Sequence, residues 1–358
     1  MQNSNKEILL ECIPIYQNNC YFDPQFGFDG IMRPYAELKK SLSKDGYDLK
    51  TIDLSKSPKD AKAIVSLEIP RESSRMFSKL PIQNLKDRLY CMLSEPPSVR
   101  PDNYDKSKHG AYTRLFTWKD DMVDNEKYFK FQNYVPFFQS EKIEIRNVPF
   151  EKRNLLCLIS SNKYSYHPDQ LYDERIKAIR FMEKNHPSQF GLYGGDWDMP
   201  VIYSKTAEKF YLNNFHKILT RAKNLAKINS FGNWLYPSWK GKVSSKFDTM
   251  QNYKFSFCYE NQTNIMGYIS EKIFDSFRAG CVPVYFGADN ISDFVPKNCF
   301  VDFRDFDSYE SIYDFLSNMD ESSHQKYIKN ISKYMNSEQS ADFKIDSLIS
   351  TFKSILKL

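Results

Sequence analysis

The sequence predicts an α/β protein built from two Rossmann-like domains that face each other across a cleft. Short apolar segments typical of buried strands alternate with amphipathic segments typical of helices, which favours parallel sheets with helical crossovers. This alternation begins again near Arg153, so the 358-residue chain divides into two units of ordinary domain size. We therefore expect one domain at 1–150, a second at 151–330 and a C-terminal amphipathic helix at 331–358.

The first half contains one predicted helix among predicted strands. In chain order we expect a strand at 8–15, a helix at 33–44, and strands at 47–54, 61–69 and 88–93. The last strand ends in the turn Ser94-Glu95-Pro96-Pro97. From 101 to 148, polar residues and scattered aromatic residues predict long loops and short strands that close the domain.

The second half shows the most regular alternation. Strands are predicted at 154–159, 190–193, 253–259, 282–286 and 299–303, helices at 170–184 and 270–279, and a helical or mixed segment at 206–229. Ser270 is a plausible N-cap, and Glu271 suits the positive end of the helix dipole. Gly280 follows the same helix where a positive φ is needed.

Composition and charge exclude several classes of protein. Hydrophobic residues make up 41% and charged residues 27%, which excludes wholesale disorder. The net charge is +5, with both signs interspersed, so we expect no nucleic-acid partner. Seven cysteines without a CxxC pair predict no zinc site or redox pair.

Targeting signals are not visible in the sequence. The N-terminus lacks an apolar segment, and the longest apolar runs are far shorter than the ~18 residues of a membrane span. We expect a cytoplasmic protein. In one alternative, the amphipathic segment 341–358 makes a peripheral membrane contact, which would place the protein at the inner face of the membrane. The interpretation that we favour is that the segment 341–358 forms a helix that packs on its own protein.

The segment 253–287 carries the chemistry. In an open parallel sheet, ligands bind at the carboxyl ends of the strands. The strand 253–259 delivers Glu260 and Asn261 to that edge, and the chain returns through Tyr268 to a helix whose first turn holds Glu271 and Lys272. Free N–H groups, the helix dipole and a lysine together predict an anion site suited to a diphosphate.

The same segment resembles a known family. Tyr253-Lys-Phe-Ser-Phe-Cys-Tyr-Glu-Asn261, Gly267-Tyr-Ile-Ser-Glu-Lys272 and Gly280-Cys-Val-Pro-Val-Tyr-Phe-Gly287 resemble, in order and spacing, the α1,3/4-fucosyltransferases of glycosyltransferase family 10. Glu95-Pro-Pro-Ser98 resembles the Glu-Ser-Pro turn of that family, with Pro96 in place of the usual Ser. The lack of a visible membrane anchor resembles the soluble bacterial members.

The resemblance implies a GT-B fold and GDP-fucose as donor, with no metal or other cofactor. It implies that Lys272 and Arg175 bind the diphosphate, with Arg180 as the competitor of Arg175. It also implies that the donor is bound by Glu260, Asn261, Tyr268 and Glu271.

Two carboxylates are the candidate catalytic residues. Glu95 ends a strand of the first domain, where it would face Lys272 across the cleft and act as general base. Glu271 would steady positive charge on the sugar ring. Asp196-Trp-Asp198 is interpreted as part of a loop, because it follows Gly194-Gly195. The acidic run Asp120-Asp121…Asp124…Glu126 is interpreted as a solvated turn rather than a metal site. Neutralisation of the diphosphate by cationic side chains fits both interpretations.

The expected function is transfer of fucose, with inversion, to the 3- or 4-hydroxyl of an N-acetylglucosamine or glucose residue. The acceptor partner would be an oligosaccharide or a lipid-linked glycan, as in protein glycosylation or the O-antigen of a bacterial surface polysaccharide. One alternative keeps the fold and uses another GDP-deoxysugar. The other is a glycan-binding protein without turnover, which the joint presence of Glu95, Arg175, Glu271 and Lys272 disfavours.

Overall fold

The computed structural model describes residues 6–27, 29–70, 85, 87–132, 141–198 and 235–358. The described part of the chain forms two parallel β-sheets with helices around them, as the sequence predicts. The helical or mixed segment predicted at 206–229 lies outside the described residues.

The first sheet has six strands. They are β1 Glu7–Glu11, β2 Asp48–Thr51, β3 Ala63–Leu67, β4 Leu89–Leu93, β5 Arg114–Thr117 and β6 Tyr128–Lys130, in the order β2-β1-β3-β4-β5-β6. Helix α1 spans Arg33–Lys44, as predicted. The predicted strand 8–15 ends early, because Pro14 has no N–H for a ladder and begins a 3₁₀ turn.

The second sheet has five strands. They are β7 Asn154–Ile159, β8 Phe190–Tyr193, β9 Tyr253–Tyr259, β10 Val282–Phe286 and β11 Val301–Asp302, in the order β11-β10-β9-β7-β8. The helices described in this half and after it are α2 Tyr172–Asn185, α3 Lys246–Met250, α4 Glu271–Arg278, α5 Ile291–Phe294, α6 Tyr309–Ser317, α7 Glu321–Met335 and α8 Ile345–Leu356.

The two sheets share one topology. Numbered within each sheet, the first five strands follow the spatial order 2-1-3-4-5. In this order the chain changes direction between the first and third strands, and ligands bind outside the carboxyl ends of the strands at that point. The expected binding crevices therefore lie beyond β1 and β3 in one sheet and beyond β7 and β9 in the other.

Helix α8 packs against the first domain, although it follows the second in sequence. Its buried apolar side chains join the same cluster as Leu38 and Leu42 of α1, and its Phe352 ring lies 5.6 Å from that of Phe116. The side chains concerned are Ile345, Leu348, Phe352, Ile355 and Leu356. This confirms the favoured interpretation, a helix that packs on its own protein, and leaves these apolar side chains buried rather than facing a membrane.

The C-terminal segment begins later in the chain than expected. The expected boundary at residue 330 falls inside α7, so the segment that returns to the first domain starts after Met335. Within the described ranges, no helix combines the length and the apolar character that a membrane span requires.

Candidate active site

A cavity of about 520 Å³ lies at the switch point of the second sheet. Its walls include the ends of β7 and β9 at Ile159 and Tyr259, and the first turn of α4 at Glu271 and Lys272. Glu95 of the first domain also lines this cavity. The sheet edge at which a ligand is expected therefore opens into a cavity, and residues of both domains line it.

The first turn of α4 is held by a buried carboxylate. Ser270 caps the helix, its hydroxyl accepting the N–H of Lys272. Glu260, fully buried, accepts the Ser270 N–H at 2.8 Å and the Ser270 hydroxyl at 2.6 Å. Its second oxygen also lies 3.1 Å from the Lys272 ammonium. Glu260 thus lies beneath the site and orients Lys272, which corrects its expected direct contact with the donor.

The glycine that ends the family motif has a steric reason. A Cβ on Gly287 would lie 2.4 Å from Cγ of Glu260 and 2.6 Å from the Tyr285 hydroxyl. The space that Gly287 leaves empty is therefore the space through which the Glu260 side chain reaches α4.

We expect Gly287→Ala to destabilise the protein by about 1–3 kcal/mol, the usual cost of overpacking. Thermal unfolding measures this effect. Gly110→Ala is the matched control, because a Cβ there meets no atom within 4 Å and φ is unstrained. Equal melting temperatures of the two variants would contradict the steric role of Gly287.

Lys272 and Glu271 form part of a charged network. Burial alone would lower the pKa of Lys272, but Glu260 and Glu271 outweigh it and the pKa is raised. Glu271 pairs with Lys246 at 3.4 Å, and Lys246 also contacts Asp275 at 2.7 Å. Burial opposes ionisation of Glu271, yet Lys272 and Lys246 lower its pKa overall. Both groups are therefore charged at neutral pH.

Arg175 lines the cavity but uses part of its guanidinium for the protein itself. Its Nη2 donates to the carbonyl oxygens of Tyr259 and Glu260 at 2.8 and 2.7 Å, and to Oδ1 of Asn261 at 3.0 Å. Arg175 therefore holds the end of β9, and its expected diphosphate contact stays a prediction. Arg180, its competitor, donates to Glu183 and to the Leu235 carbonyl and is not on the cavity wall.

Asn261 and Tyr268 differ in position. Asn261 lines the cavity and donates to the Tyr268 hydroxyl at 3.1 Å. Tyr268 is buried, with its ring centroid 4.7 Å from that of Trp118 in the first domain. The structure thus places Tyr268 at the contact between the domains rather than on the cavity wall, a correction to its expected donor contact.

Glu95 lies at the carboxyl end of β4, partly buried, as the sequence predicts. Burial raises its pKa, while Lys163 and Lys272 act in the opposite direction. Its backbone carbonyl accepts the Tyr104 hydroxyl at 3.0 Å, which fixes the turn from the other side. A carboxylate with a raised pKa that lines the same cavity as Lys272 is suited to accept a proton.

A second cavity of about 550 Å³ adjoins the first and shares Glu95, Lys246, Glu271 and Asp275 with it. Most of the other residues on its walls belong to the first domain and include Tyr16, Tyr21, Tyr35 and Glu68. Sequence reasoning missed Glu68, because the strand predicted at 61–69 includes it, whereas β3 ends at Leu67. It also missed three lysines that line the first cavity: Lys163, Lys242 and Lys246.

The two acidic motifs behave as parts of loops. Asp196 lines the first cavity, but Trp197 between the two aspartates is buried and donates to the Ser160 carbonyl at 2.7 Å. Asp120 accepts the side-chain amide of Asn290 at 2.9 Å across the domains. Within the part of the chain that the structure describes, no group of three or more His, Cys, Asp or Glu side chains is arranged to hold a metal.

Comparison with known proteins confirms the resemblance in the C-terminal half. Residues 202–347 match the family model of the glycosyltransferase family 10 (fucosyltransferase) C-terminal domain. A segment of 75 residues is 36% identical to an alpha-(1,3)-fucosyltransferase of Helicobacter pylori, and one of 70 residues is 37% identical to an alpha-(1,4)-fucosyltransferase of Arabidopsis thaliana. These segments cover 21% and 20% of this chain, and 15% and 17% of the relatives' lengths.

Solved structures extend the likeness to the whole fold. Crystal structures of alpha1,3-fucosyltransferase, one without a named ligand and one with GDP, align with TM-scores of 0.52 and 0.50. Both alignments cover 100% of this chain and 92% of the other, at 14% and 12% identity. The two-sheet architecture is thus the GT-B arrangement, as expected.

Proposed function

We propose that this chain, whose residues 202–347 carry the C-terminal domain of family 10 glycosyltransferases, is a fucosyltransferase-like enzyme that uses GDP-fucose. The observation that carries the proposal is the shared cavity. A carboxylate from the first domain, Glu95, and a cation at a helix N-terminus of the second, Lys272, line the same space. A glycosyl transfer needs both groups in one place.

The second-domain side of the cavity suits a nucleotide diphosphate. The ammonium of Lys272 and the dipole of α4 supply positive charge, and Lys163, Lys242 and Arg175 lie on the same wall. These cations can neutralise a diphosphate, so we propose that transfer needs no metal ion. GDP as the nucleotide is supported by the alpha1,3-fucosyltransferase structure solved with GDP.

The first-domain cavity is the proposed acceptor site. It opens beside Glu95 and is lined by Tyr16, Tyr21 and Tyr35, whose rings and hydroxyls suit a sugar. The proposed acceptor is the 3- or 4-hydroxyl of an N-acetylglucosamine or glucose residue in a glycan, for example a bacterial surface polysaccharide.

The proposed reaction is a single displacement with inversion. Glu95 accepts the proton of the acceptor hydroxyl as its oxygen attacks C1 of the donor sugar from the face opposite GDP. The bond between C1 and the β-phosphate oxygen breaks, and its electron pair leaves with GDP. Lys272 and the start of α4 stabilise the charge on the departing diphosphate. Glu271, held ionised, faces the positive charge that develops on the sugar ring.

Calorimetric titration with GDP, UDP, CMP and ADP, each with EDTA present, tests the donor assignment. We expect selective binding of GDP without metal, because the cations of the cavity provide the charge that a metal would. Incubation with GDP-sugars and glycan acceptors then measures transfer and separates fucose from other deoxysugars. Binding of UDP in place of GDP, or of no nucleotide until Mn²⁺ is added, would refute the proposal.

A further inference from the structure

We propose that Glu68 is a positioning residue for the base, holding the turn that carries Glu95 through two backbone hydrogen bonds. The inference rests on the proposed function, since the task of Glu68 follows from the role of Glu95. Glu68 has no part in the family motif and is separated from Glu95 by a whole strand.

The hydrogen bonds of Glu68 point to the base. One carboxylate oxygen, Oε1, accepts the backbone N–H groups of both Ser94 and Glu95 at 3.1 Å. The other, Oε2, accepts the side-chain amide of Asn103. The carboxylate therefore fixes the orientation of the peptide units immediately before and at the catalytic position.

The surroundings leave Glu68 little freedom. Its residue surface is 8% exposed, and Asn103 is fully buried, with its Oδ1 accepting the N–H of Ile69 at 3.0 Å. Because Oδ1 of Asn103 accepts this hydrogen bond, flipping the side-chain amide would break it. Asn103 thus presents a donor, rather than an acceptor, to the carboxylate.

The backbone at Glu68 is strained. Its φ is +73°, in the left-handed region that side chains other than glycine rarely adopt. The Ser66 hydroxyl lies 2.8 Å from the Glu68 carbonyl oxygen and supports this bend at the end of β3. Strain of this kind persists where surrounding contacts enforce it, and it is concentrated at functional sites.

The protonation state of Glu68 should affect how firmly the turn that carries Glu95 is held. Burial raises the pKa of Glu68 to about 7, with Asn103 opposing and the charge of Glu95 adding to the effect. An ionised Glu68 can accept all three N–H groups. A neutral one must place its own proton among these donors, which loosens the turn. The ionised form is therefore the one that holds the base in place.

Other titratable and charged groups surround the two carboxylates. Those acting with Glu68 are Tyr21, Tyr35, Cys91, Arg100 and Tyr104. Glu11 is linked to Glu68 through the Ser66 hydroxyl, which contacts both residues. Those acting with Glu95 are Tyr16, Arg100, Lys163, Tyr172, Glu271 and Lys272.

The test compares wild type, Glu68→Ala and Glu68→Gln by kcat and KM of transfer, GDP affinity, melting temperature and pH profile. We expect kcat to fall about 100-fold in Glu68→Ala, the scale of a misplaced catalytic group, with GDP affinity unchanged. Glu68→Gln keeps an oxygen for Ser94 and Glu95 and should recover part of the rate. Its profile should lack the rise through about pH 7 that the ionisation of Glu68 gives wild type.

Glu7→Gln is the matched control, because Glu7 lies in the same sheet and pairs with Lys50, away from both cavities. A wild-type kcat in Glu68→Ala would overturn the inference, as would an unchanged rise near pH 7 in Glu68→Gln. If Glu68→Ala does not fold, Glu68→Gln alone decides through its pH profile. Absence of transfer by wild type would instead refute the proposed function.

Discussion

Replacing Glu95 by Ala is expected to lower kcat of transfer by about 10²–10⁴-fold, the usual contribution of a general base, and to leave GDP affinity nearly unchanged. Glu95 belongs to the first domain, whereas the cations proposed to bind the diphosphate belong to the second. Steady-state kinetics and calorimetry with GDP measure the two effects separately. A variant that keeps the wild-type rate would show that another group accepts the proton.

Two further variants sharpen this result. Glu95→Gln keeps the shape of the side chain but cannot accept a proton, so it should be as slow as Glu95→Ala. Glu37→Ala, on helix α1 and outside both cavities, is the control and should retain the wild-type rate.

The pH dependence of transfer has a definite sign. The base works ionised, so kcat/KM falls as the pH is lowered through the pKa of Glu95. Because burial raises that pKa, the fall should begin above the range of an exposed glutamate.

Replacing Lys272 by Ala should weaken GDP binding about 10- to 100-fold, the value of a hydrogen bond to a charged group. The change should also destabilise the protein by about 3 kcal/mol, because Glu260 remains buried and loses its ion-pair partner. Calorimetry and thermal unfolding measure the two effects.

A double variant separates binding from stability. In Lys272→Ala/Glu260→Gln the buried group is neutral, so the melting temperature should recover while GDP binding stays weak. Recovery of GDP affinity as well would mean that Lys272 acts only through the fold. Lys177→Ala, an exposed lysine on α2 that pairs with Glu174, is the matched control for loss of a charge.

Four strands of the second sheet could be predicted to the residue from the sequence, whereas the fifth, expected at 299–303, spans only Val301–Asp302. Those at Asn154–Ile159, Phe190–Tyr193, Tyr253–Tyr259 and Val282–Phe286 are apolar runs bounded by polar residues, glycine or proline, and both of their faces are buried. The roles of Ser270 and Gly280 could also be predicted, because the N-cap of a helix and the left-handed residue after its last turn depend on local sequence. Local patterns therefore determine most of this half.

The errors concern contacts between distant segments. Nothing local to Glu260 or Tyr268 indicates that the first lies beneath α4 and the second against Trp118 of the other domain. Arg175 shows a related difficulty, since a cation expected to bind ligand also bonds to backbone carbonyls that only folding brings near. The role proposed for Glu68 depends on a bend at the end of β3 that no local sequence pattern predicts.

The return of helix α8 to the first domain affects how the protein folds during its synthesis. The first sheet is complete once Lys130 has been made, but the apolar side chains that close its core arrive with Ile345–Leu356. At ribosomal rates of about 5–20 residues per second, that delay is on the order of 10–40 s. During this interval the newly made first sheet has an uncovered apolar face, and this nascent intermediate is where chaperone binding or aggregation is most expected.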